Sequence, residues 1–250
     1  MEIPVKKLPE TQFSRFLTYP ILDEALAKDR VKELSATGVA ALRFTGRTLI
    51  DGVPILGKGC VGIVAHAVLN GKEVALKMRR HDADRHSMRD EARLLRLANS
   101  VDVGPQLIAA TRNFLVMELF GGMQLFRWIE SSKAKNKVSI KNVLRQLLVS
   151  CFKLDAIGLD HGELSHAPKN VLVTQAGKAC IVDFESASAV RRPANVTCLL
   201  QYFMFGRIAE QVGRKGIFPG RSVILKALFD YKREPSVENF HAILRLLRLV

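Results

Sequence analysis

Three glycines lie at a spacing that suits phosphate binding. Gly57, Gly59 and Gly62 form the pattern G-x-G-x-x-G, and glycine lets the backbone approach phosphates that a Cβ atom would obstruct. In dinucleotide-binding folds this pattern lies between a strand and a helix. Here Val64 follows the last glycine by two residues and continues a strand pattern, which favours a phosphate-binding hairpin. A tight glycine-rich hairpin without a ligand is the alternative.

A lysine and a glutamate downstream could act on the same phosphates. Lys77 ends the strand-like run VALK of residues 74–77, and Glu91 belongs to the helical pattern of residues 85–98. A lysine in this setting can pair with nucleotide phosphates, and a carboxylate can hold that lysine in place. The alternative is an exposed strand lysine and an acidic residue on a helix surface.

Oxygen-bearing side chains recur in residues 158–185. Glu163 precedes Asn170 by seven residues, and Asp183 follows Asn170 by thirteen. A glutamate can accept a proton from an attacking hydroxyl group. Asparagine and aspartate offer oxygen ligands of the kind that Mg²⁺ prefers. This segment therefore combines a candidate base with candidate metal ligands.

The periodicity of the chain predicts a β-rich first half and a helical second half. Asn70-Gly71 is a strong hairpin signal, because type I′ turns need positive φ at both central residues. One hairpin, in residues 169–184, interrupts the helical half. We therefore expect an α+β fold with two lobes and a cleft between them. The predicted strands lie within residues 53–78 and 107–120, and the predicted helices within 21–34, 85–98, 138–158, 195–212 and 221–250.

The composition is that of a globular protein with an unusual charge. Of 250 residues, 48% are hydrophobic and 25% are charged, which excludes a disordered tail, a collagen-like repeat and a small disulfide scaffold. No uncharged apolar run reaches about 18 residues, and the first residues lack the apolar block of a secretion signal. The net charge of +14 attracts nucleic acid, nucleotide phosphates or an anionic membrane surface, unless these residues only solvate helices.

Four cysteines are widely spaced and form no C-x-x-C pair; they are Cys60, Cys151, Cys180 and Cys198. This spacing argues against a zinc site, and single cysteines in apolar surroundings indicate reduced thiols. We therefore expect a cytoplasmic protein without a membrane partner.

Five motifs in this order resemble those of the protein-kinase-like superfamily. They are the glycine pattern followed by Val64, the run VALK, the strand and hinge FLVMELFGG of residues 114–122, the loop GLDHGEL of residues 158–164, and DFE of residues 183–185 in the place of D-F-G. The resemblance covers about residues 54–188. The short C-terminal part is most similar to the RIO kinases, the kinase of the KEOPS complex and predicted archaeal serine/threonine kinases.

The resemblance implies a two-lobed kinase-like fold that binds ATP and Mg²⁺. Residues 1–50 would form an N-terminal helical extension, residues 51–118 the β-rich N-lobe with one helix, and residues 119–250 a minimal, mostly helical C-lobe. The implied catalytic residues are Glu163, as the base, and Lys77. The implied nucleotide-binding residues are Gly57, Gly59, Gly62, Val64, Ala75, Lys77, Glu91, Met117, Glu118, Phe120 and Leu172, and the residues implied to hold Mg²⁺ are Asn170 and Asp183.

The catalytic segment departs from the kinase pattern. Glu163 stands where the family has aspartate, and the stretch from Glu163 to Asn170 is two residues longer than the family's. An alignment without a gap places Ser165 at the position of the base instead. We favour Glu163 because its sequence context fits. His166 and Lys169 could contact the transferred phosphoryl group or only solvent.

The flanking positions depart as well. His161 is expected to pack the loop, and Glu185 replaces the glycine of D-F-G, which reduces backbone freedom there. The chain after Asp183 has no A-P-E segment and passes quickly into a helix with Asn195 as the candidate N-cap. We therefore expect neither the usual platform for peptide substrates nor an activation loop switched by phosphorylation.

These observations favour an ATP-dependent phosphotransferase, a RIO-like atypical serine/threonine kinase that acts on a protein or on itself. The alternative is an ATP-binding switch, ATPase or pseudokinase in an RNA- or ribosome-associated or tRNA-modifying assembly, because residues 191–250 are rich in lysine and arginine. A small-molecule kinase with an anionic acceptor is a third interpretation.

Overall fold

The structure is a computed structural model that describes residues 1–131, 137–166, 169–214 and 216–250, with the side chains of Lys137 and His166 left out. The chain forms two compact units. The first comprises Met1–Arg96 and Pro105–Phe120, and the second comprises Leu97–Gly104 and Gly121–Val250. We describe each unit separately.

The first unit is built on an antiparallel sheet of seven strands. Its order is β1-β2-β6-β7-β9-β8, and β5 pairs with β6 beside this path. A separate hairpin joins β3 and β4. The strands are β1 Glu2–Pro4, β2 Val39–Arg43, β3 Thr48–Ile50, β4 Val53–Ile55, β5 Gly57–Lys58, β6 Gly62–Leu69, β7 Lys72–Arg79, β8 Leu107–Ala110 and β9 Phe114–Glu118, and the helices are α1 Arg15–Thr18, α2 Glu24–Ser35 and α3 Arg89–Asn99, whose last residues belong to the second unit.

The hairpin of β6 and β7 forms the centre of this sheet. Asn70 and Gly71 take φ values of 49° and 74°, as a type I′ turn requires, so the predicted turn is confirmed. The cross-strand pairs Ala65–Leu76 and Ile63–Met78 are buried in the core of the unit. The residues between them point to the opposite face, because side chains alternate along a strand.

Residues 1–50 do not form a separate helical extension. The predicted helix exists as α2, but β2 pairs with β6 inside the main sheet. Leu17 is fully buried in the core cluster, and Arg30 of α2 donates a hydrogen bond to the carbonyl of Arg79 in β7 at 2.7 Å. The sequence indicated only the helix, because a run as short as residues 39–43 carries little periodic signal.

The second unit is mostly helical and carries one small sheet. The antiparallel sheet has the order β10-β11-β12, and the predicted hairpin of residues 169–184 supplies two of its strands. Helix α5 packs its apolar stripe against α6. The strands are β10 Met123–Gln124, β11 Val171–Val173 and β12 Ala179–Ile181, and the helices are α4 Leu125–Glu130, α5 Lys137–Ala156, α6 Asn195–Phe205, α7 Ala209–Arg214, α8 Arg221–Arg233 and α9 Val237–Leu246.

The fold is therefore α+β, with a β-rich N-terminal part and a helical C-terminal part, and this prediction is confirmed. Within the described part of the chain, no helix is both long and apolar enough to cross a membrane.

The N-terminal segment is expected to contribute to the stability of the first unit. Leu17→Ala should lower the free energy of unfolding by about 2–5 kcal/mol, because it leaves a cavity in the core. Leu49→Ala is the matched control, since Leu49 is 65% exposed. Urea unfolding followed by far-UV circular dichroism suits the measurement, because the single tryptophan lies in the second unit. Equal unfolding midpoints for the two variants would contradict the integration of this segment.

Candidate active site

The first unit holds a buried ion pair between Lys77 of β7 and Glu91 of α3. The Nζ atom of Lys77 lies 2.9 Å from both carboxylate oxygens of Glu91, and each side chain is 4% exposed. A buried ion pair adds little net stability compared with apolar residues, because both charges must leave water. Charged groups buried in this way are common at functional sites, which makes the pair a candidate for binding or catalysis.

The glycine pattern forms the turn between β5 and β6, as predicted. The N–H of Gly59 donates to the carbonyl of Gly62 at 2.8 Å. A Cβ atom on Gly62 would lie 3.0 Å from both the Cγ atom of Lys77 and the carbonyl oxygen of Met78, so a larger residue here would make β7 shift. A Cβ atom on Gly57 would meet nothing within 4 Å. Packing of the described residues therefore gives no reason for glycine at position 57, and close approach of a ligand would give one.

The other predicted nucleotide-binding residues of β6, β7 and β9 share one face of the sheet. Val64 lies opposite Lys77, and Ala75 lies opposite Met117. Ala75 and Lys77 are two residues apart, so all four side chains point to the same side. Ala75 is 6% exposed, whereas Val64 and Met117 are half-buried. The structure thus brings Val64, Ala75 and Met117 to the side of the sheet that carries the lysine.

Glu118 and Phe120 lie at the end of the first unit. The N–H of Glu118 donates to the carbonyl of Gln106 at 2.8 Å, within the sheet. The side chain of Glu118 is exposed, and Phe120 is half-buried. The N–H of Glu118 is therefore used in a hydrogen bond within the first unit.

In the second unit, Glu163 and Asn170 meet directly. The Nδ2 atom of Asn170 donates to Oε2 of Glu163 at 2.9 Å, and the hydroxyl of Ser186 donates to Oε1. These hydrogen bonds, from Ser186 and then from Asn170, hold the pKa of Glu163 below its usual value. Glu163 is therefore a carboxylate at neutral pH, with the charge state that a proton acceptor needs.

Asn170 and Asp183 provide oxygen atoms that fit a hard cation. Asn170 is 2% exposed, and its amide nitrogen is used by Glu163, which leaves the amide oxygen as the atom that could ligate. Asp183 is exposed and has a φ of 67°, a left-handed conformation that costs energy in a non-glycine residue and is often found at functional sites. This donor set is compatible with Mg²⁺.

The remaining predicted residues of the second unit differ in their surroundings. Ser165, the alternative candidate for the base, is exposed in a short 3-10 turn. Asn170 bonds to Glu163, and this contact favours Glu163 over Ser165 as the candidate base. Lys169 is exposed and Leu172 is half-buried in β11, opposite Cys180. The side chain of His166 lies outside the described residues.

His161 packs the loop, as expected. It is fully buried, and its Nε2 atom lies 3.1 Å from the carbonyl oxygen of Val182. Its ring centre lies 5.0 Å from that of Phe184, in an edge-on arrangement. Burial lowers the pKa of His161, so the side chain is neutral at pH 7 and acts through packing.

Asn195 is not an N-cap, in contrast to the prediction. It is the first residue of α6, and Ala194 occupies the N-cap position. Its side chain is 1% exposed, accepts the N–H of His161 at 2.8 Å and donates to the carbonyl of Leu159 at 2.7 Å. It also donates to Asp155 of α5 at 2.7 Å. Asn195 therefore holds the loop that leads to Glu163.

Arg191 contacts the same loop from the other side. Its Nε atom donates to the carboxylate of Asp160, and its Nη2 atom donates to the carbonyl of Ser186 at 2.9 Å. A Cβ atom on Gly162 would lie 2.4 Å from this Nη2 atom, and Gly162 has a φ of 85°. Glycine is therefore required next to Glu163, where the chain turns around the guanidinium group.

Sequence reasoning did not identify Ser186, Asp155, Asn195 or Arg191 as parts of the site. Asp155 carried a usable signal, because it is a charged residue that continues the apolar stripe of α5 four residues after Cys151, and the structure shows it half-buried. Asn195 had the residue type of an N-cap, and only the fold shows the buried hydrogen bonds. The long-range contacts of Ser186 and Arg191 have no local sequence signature.

A comparison with protein-family models finds a match. The model described as RIO domain matches residues 67–201. This range contains Lys77, Glu91, Glu163, Asn170 and Asp183. These candidate residues of each unit therefore lie within the matched segment, whereas the glycine-rich turn and Val64 precede it.

The buried ion pair yields a stability prediction. Glu91→Gln should lower the free energy of unfolding of the first unit by about 3 kcal/mol, because the buried ammonium group loses its carboxylate partner. Asp90→Asn is the matched control, since Asp90 precedes Glu91 on the same helix and is exposed, and it should change stability by less than about 0.5 kcal/mol. Urea unfolding of both variants checks this. Equal stability would show that the pair does not act as a buried charge.

Proposed function

The chain belongs to the RIO domain family of kinase-like proteins, and from this membership we propose that it is an ATP-dependent phosphotransferase, a RIO-like atypical serine/threonine kinase. It would use MgATP as the phosphoryl donor. The acceptor would be a hydroxyl group of a partner protein or of the chain itself. We propose a cytoplasmic location.

The observation that carries this proposal is the hydrogen bond between Asn170 and Glu163 at 2.9 Å. It supports a site in which a carboxylate and an oxygen ligand are placed side by side. In the proposed reaction the carboxylate of Glu163 orients the acceptor hydroxyl and takes its proton as the oxygen attacks the γ-phosphorus. The bond from the γ-phosphorus to the β–γ bridging oxygen breaks, and ADP leaves. Asn170 and Asp183 would hold Mg²⁺, which offsets phosphate charge when bound.

Lys77 would contribute electrostatic stabilisation in the first unit. Its ammonium group is held by Glu91 on α3, and it would contact the phosphates beneath the turn of residues 57–62. Val64, Ala75 and Met117 would contact the adenine ring from the same face of the sheet, together with the backbone of Glu118 and Phe120. Leu172 of the second unit is the remaining residue that we propose for adenine binding. Catalysis would rest on positioning and charge stabilisation, as in other phosphoryl transfers.

A second candidate function is an ATP-dependent switch in an RNA-containing assembly. The observation that favours it is the surface of α6 and α8, where Phe205 and Phe229 are 54% and 65% exposed. The guanidinium carbon of Arg221 lies 5.3 Å from the ring centre of Phe205. An exposed aromatic ring beside arginine, as at Phe205, suits single-stranded RNA. In this function ATP would be bound, and hydrolysed slowly or not at all.

The fate of the γ-phosphate separates the two functions. With γ-labelled MgATP, the wild-type protein should transfer label to protein, and Asp183→Asn and Glu163→Gln should reduce this transfer about a hundredfold or more. Glu210→Gln is a matched control, because Glu210 lies on the surface with a side chain that is 74% exposed. Label that appears only as free phosphate, or that stays on ATP, would overturn the kinase and favour the switch.

The pH dependence tests the state of Glu163. Its pKa is depressed by hydrogen bonds from Ser186 and Asn170, so the carboxylate stays ionised as the pH falls, and the acid limb of kcat should lie below the usual pKa of glutamate. Ser186→Ala removes the larger of these effects, raises the pKa and should move the acid limb to higher pH. Ser100→Ala, at an exposed position, is the control. An unmoved limb in Ser186→Ala would contradict Glu163 as the base.

A further inference from the structure

Tyr19 lies between two cationic side chains of the first unit. This residue belongs to the chain between α1 and α2. The Nζ atom of Lys58 lies 4.9 Å from the centre of the tyrosine ring and donates a hydrogen bond to its hydroxyl oxygen at 2.5 Å. The guanidinium carbon of Arg80 lies 5.4 Å from the same ring centre. Arg80 is within the distance at which a cation is attracted to an aromatic ring, and Lys58 is held at the hydroxyl end of the ring.

Both cations also belong to the structure around the glycine-rich turn. Lys58 lies inside the turn, and the Nη1 atom of Arg80 donates to the carbonyl of Gly59 at 3.1 Å. The backbone N–H of Arg80 donates to the carbonyl of Val61 at 2.8 Å. Two further hydrogen bonds, of 2.8 Å and 2.6 Å, join the guanidinium group to Asp82. Arg80 is thus fixed by Asp82 and binds the turn at two carbonyl groups.

The backbone of Tyr19 is tied to the same strand end. Its carbonyl accepts the N–H of His81 at 2.7 Å. The backbone of Tyr19 is therefore held next to the end of β7. The contacts of its ring with Lys58 and Arg80 connect the N-terminal segment to the turn. The described contacts link three separate parts of the sequence at this point.

A turn that contains three glycines needs such contacts. Glycine loses more conformational freedom on ordering than any other residue, and Gly57 has no packing neighbour at the position of a Cβ atom. A turn that is ordered before binding avoids part of the entropy loss when a ligand binds. The contacts of Tyr19 and Arg80 supply this ordering in the protein without a nucleotide.

We propose that Tyr19 is a positioning residue, which acts through Lys58 and Arg80 to hold the turn of residues 57–62 ready for the phosphates of ATP. This inference rests on the proposed function, because it assigns phosphate binding to that turn. It places a determinant of nucleotide affinity in the N-terminal segment, outside the matched family segment. Tyr19 itself touches no reacting atom.

Hydrogen exchange and nucleotide binding together test this role. In the full chain without nucleotide, Tyr19→Ala should speed amide exchange in residues 59–62. It should also raise the Kd for MgATP about three- to tenfold, and kcat should stay within about twofold of the wild-type value. Tyr19→Phe keeps the ring and should give a smaller effect. Arg80→Gln should reproduce the faster exchange, because it removes the side-chain bond to Gly59.

Two controls make the outcomes distinct. Arg15→Ala removes a surface ion pair of the same segment with Asp51 and should leave exchange and affinity unchanged. Lys58→Gln tests a direct role of this lysine, because a raised Kd with unchanged exchange would assign phosphate binding to Lys58 itself and overturn the role of Tyr19. Unchanged exchange or unchanged MgATP affinity in Tyr19→Ala would also overturn it. If the wild-type protein does not bind MgATP, the proposed function fails first.

Discussion

The buried pair of Lys77 and Glu91 sets the requirement that the first unit must meet. An ammonium group that is 4% exposed is stable only beside a carboxylate at a fixed distance. The strand that carries Lys77 must therefore hold its register against two neighbours, and α3 must be fixed relative to the sheet. The pairing of β7 with β6 and β9 provides the first condition, and the buried residues of α3 provide the second.

The second unit fixes the loop that carries Glu163 with hydrogen bonds of a buried amide and with one ion pair. Leu159, His161 and Leu164 of this loop are buried, and hydrogen bonds fix its polar groups. Asn195 holds the loop at His161 and Leu159, and Arg191 holds it at Asp160. The bonds of Asn195 are buried and therefore expensive to leave unmade, which favours one conformation of the loop and one position of Glu163.

Local patterns in the sequence were sufficient for the hairpin of β6 and β7, for the long helices and for the order of the motifs. These patterns also placed Lys77 on a strand and Glu91 on the following helix, as the structure shows. Strand alternation and helical spacing are local features, so the sequence alone reveals them. They could not show that β2 enters the main sheet, since strand pairing over a long sequence separation leaves no local mark. The role of Asn195 was missed for a different reason. Asparagine is also a common N-cap residue, so its type alone does not distinguish a helix cap from a buried amide.

The substitution of glutamate for the family's aspartate is compatible with the geometry around Glu163. Glutamate has one more rotatable bond than aspartate and loses more rotamer entropy when it is held in place. Here each carboxylate oxygen accepts its own hydrogen bond, from Ser186 on one side and from Asn170 on the other. Two such bonds restrict the longer side chain to one orientation. Ser186 and Asn170 therefore form one arrangement, in which a more flexible carboxylate is fixed by its neighbours.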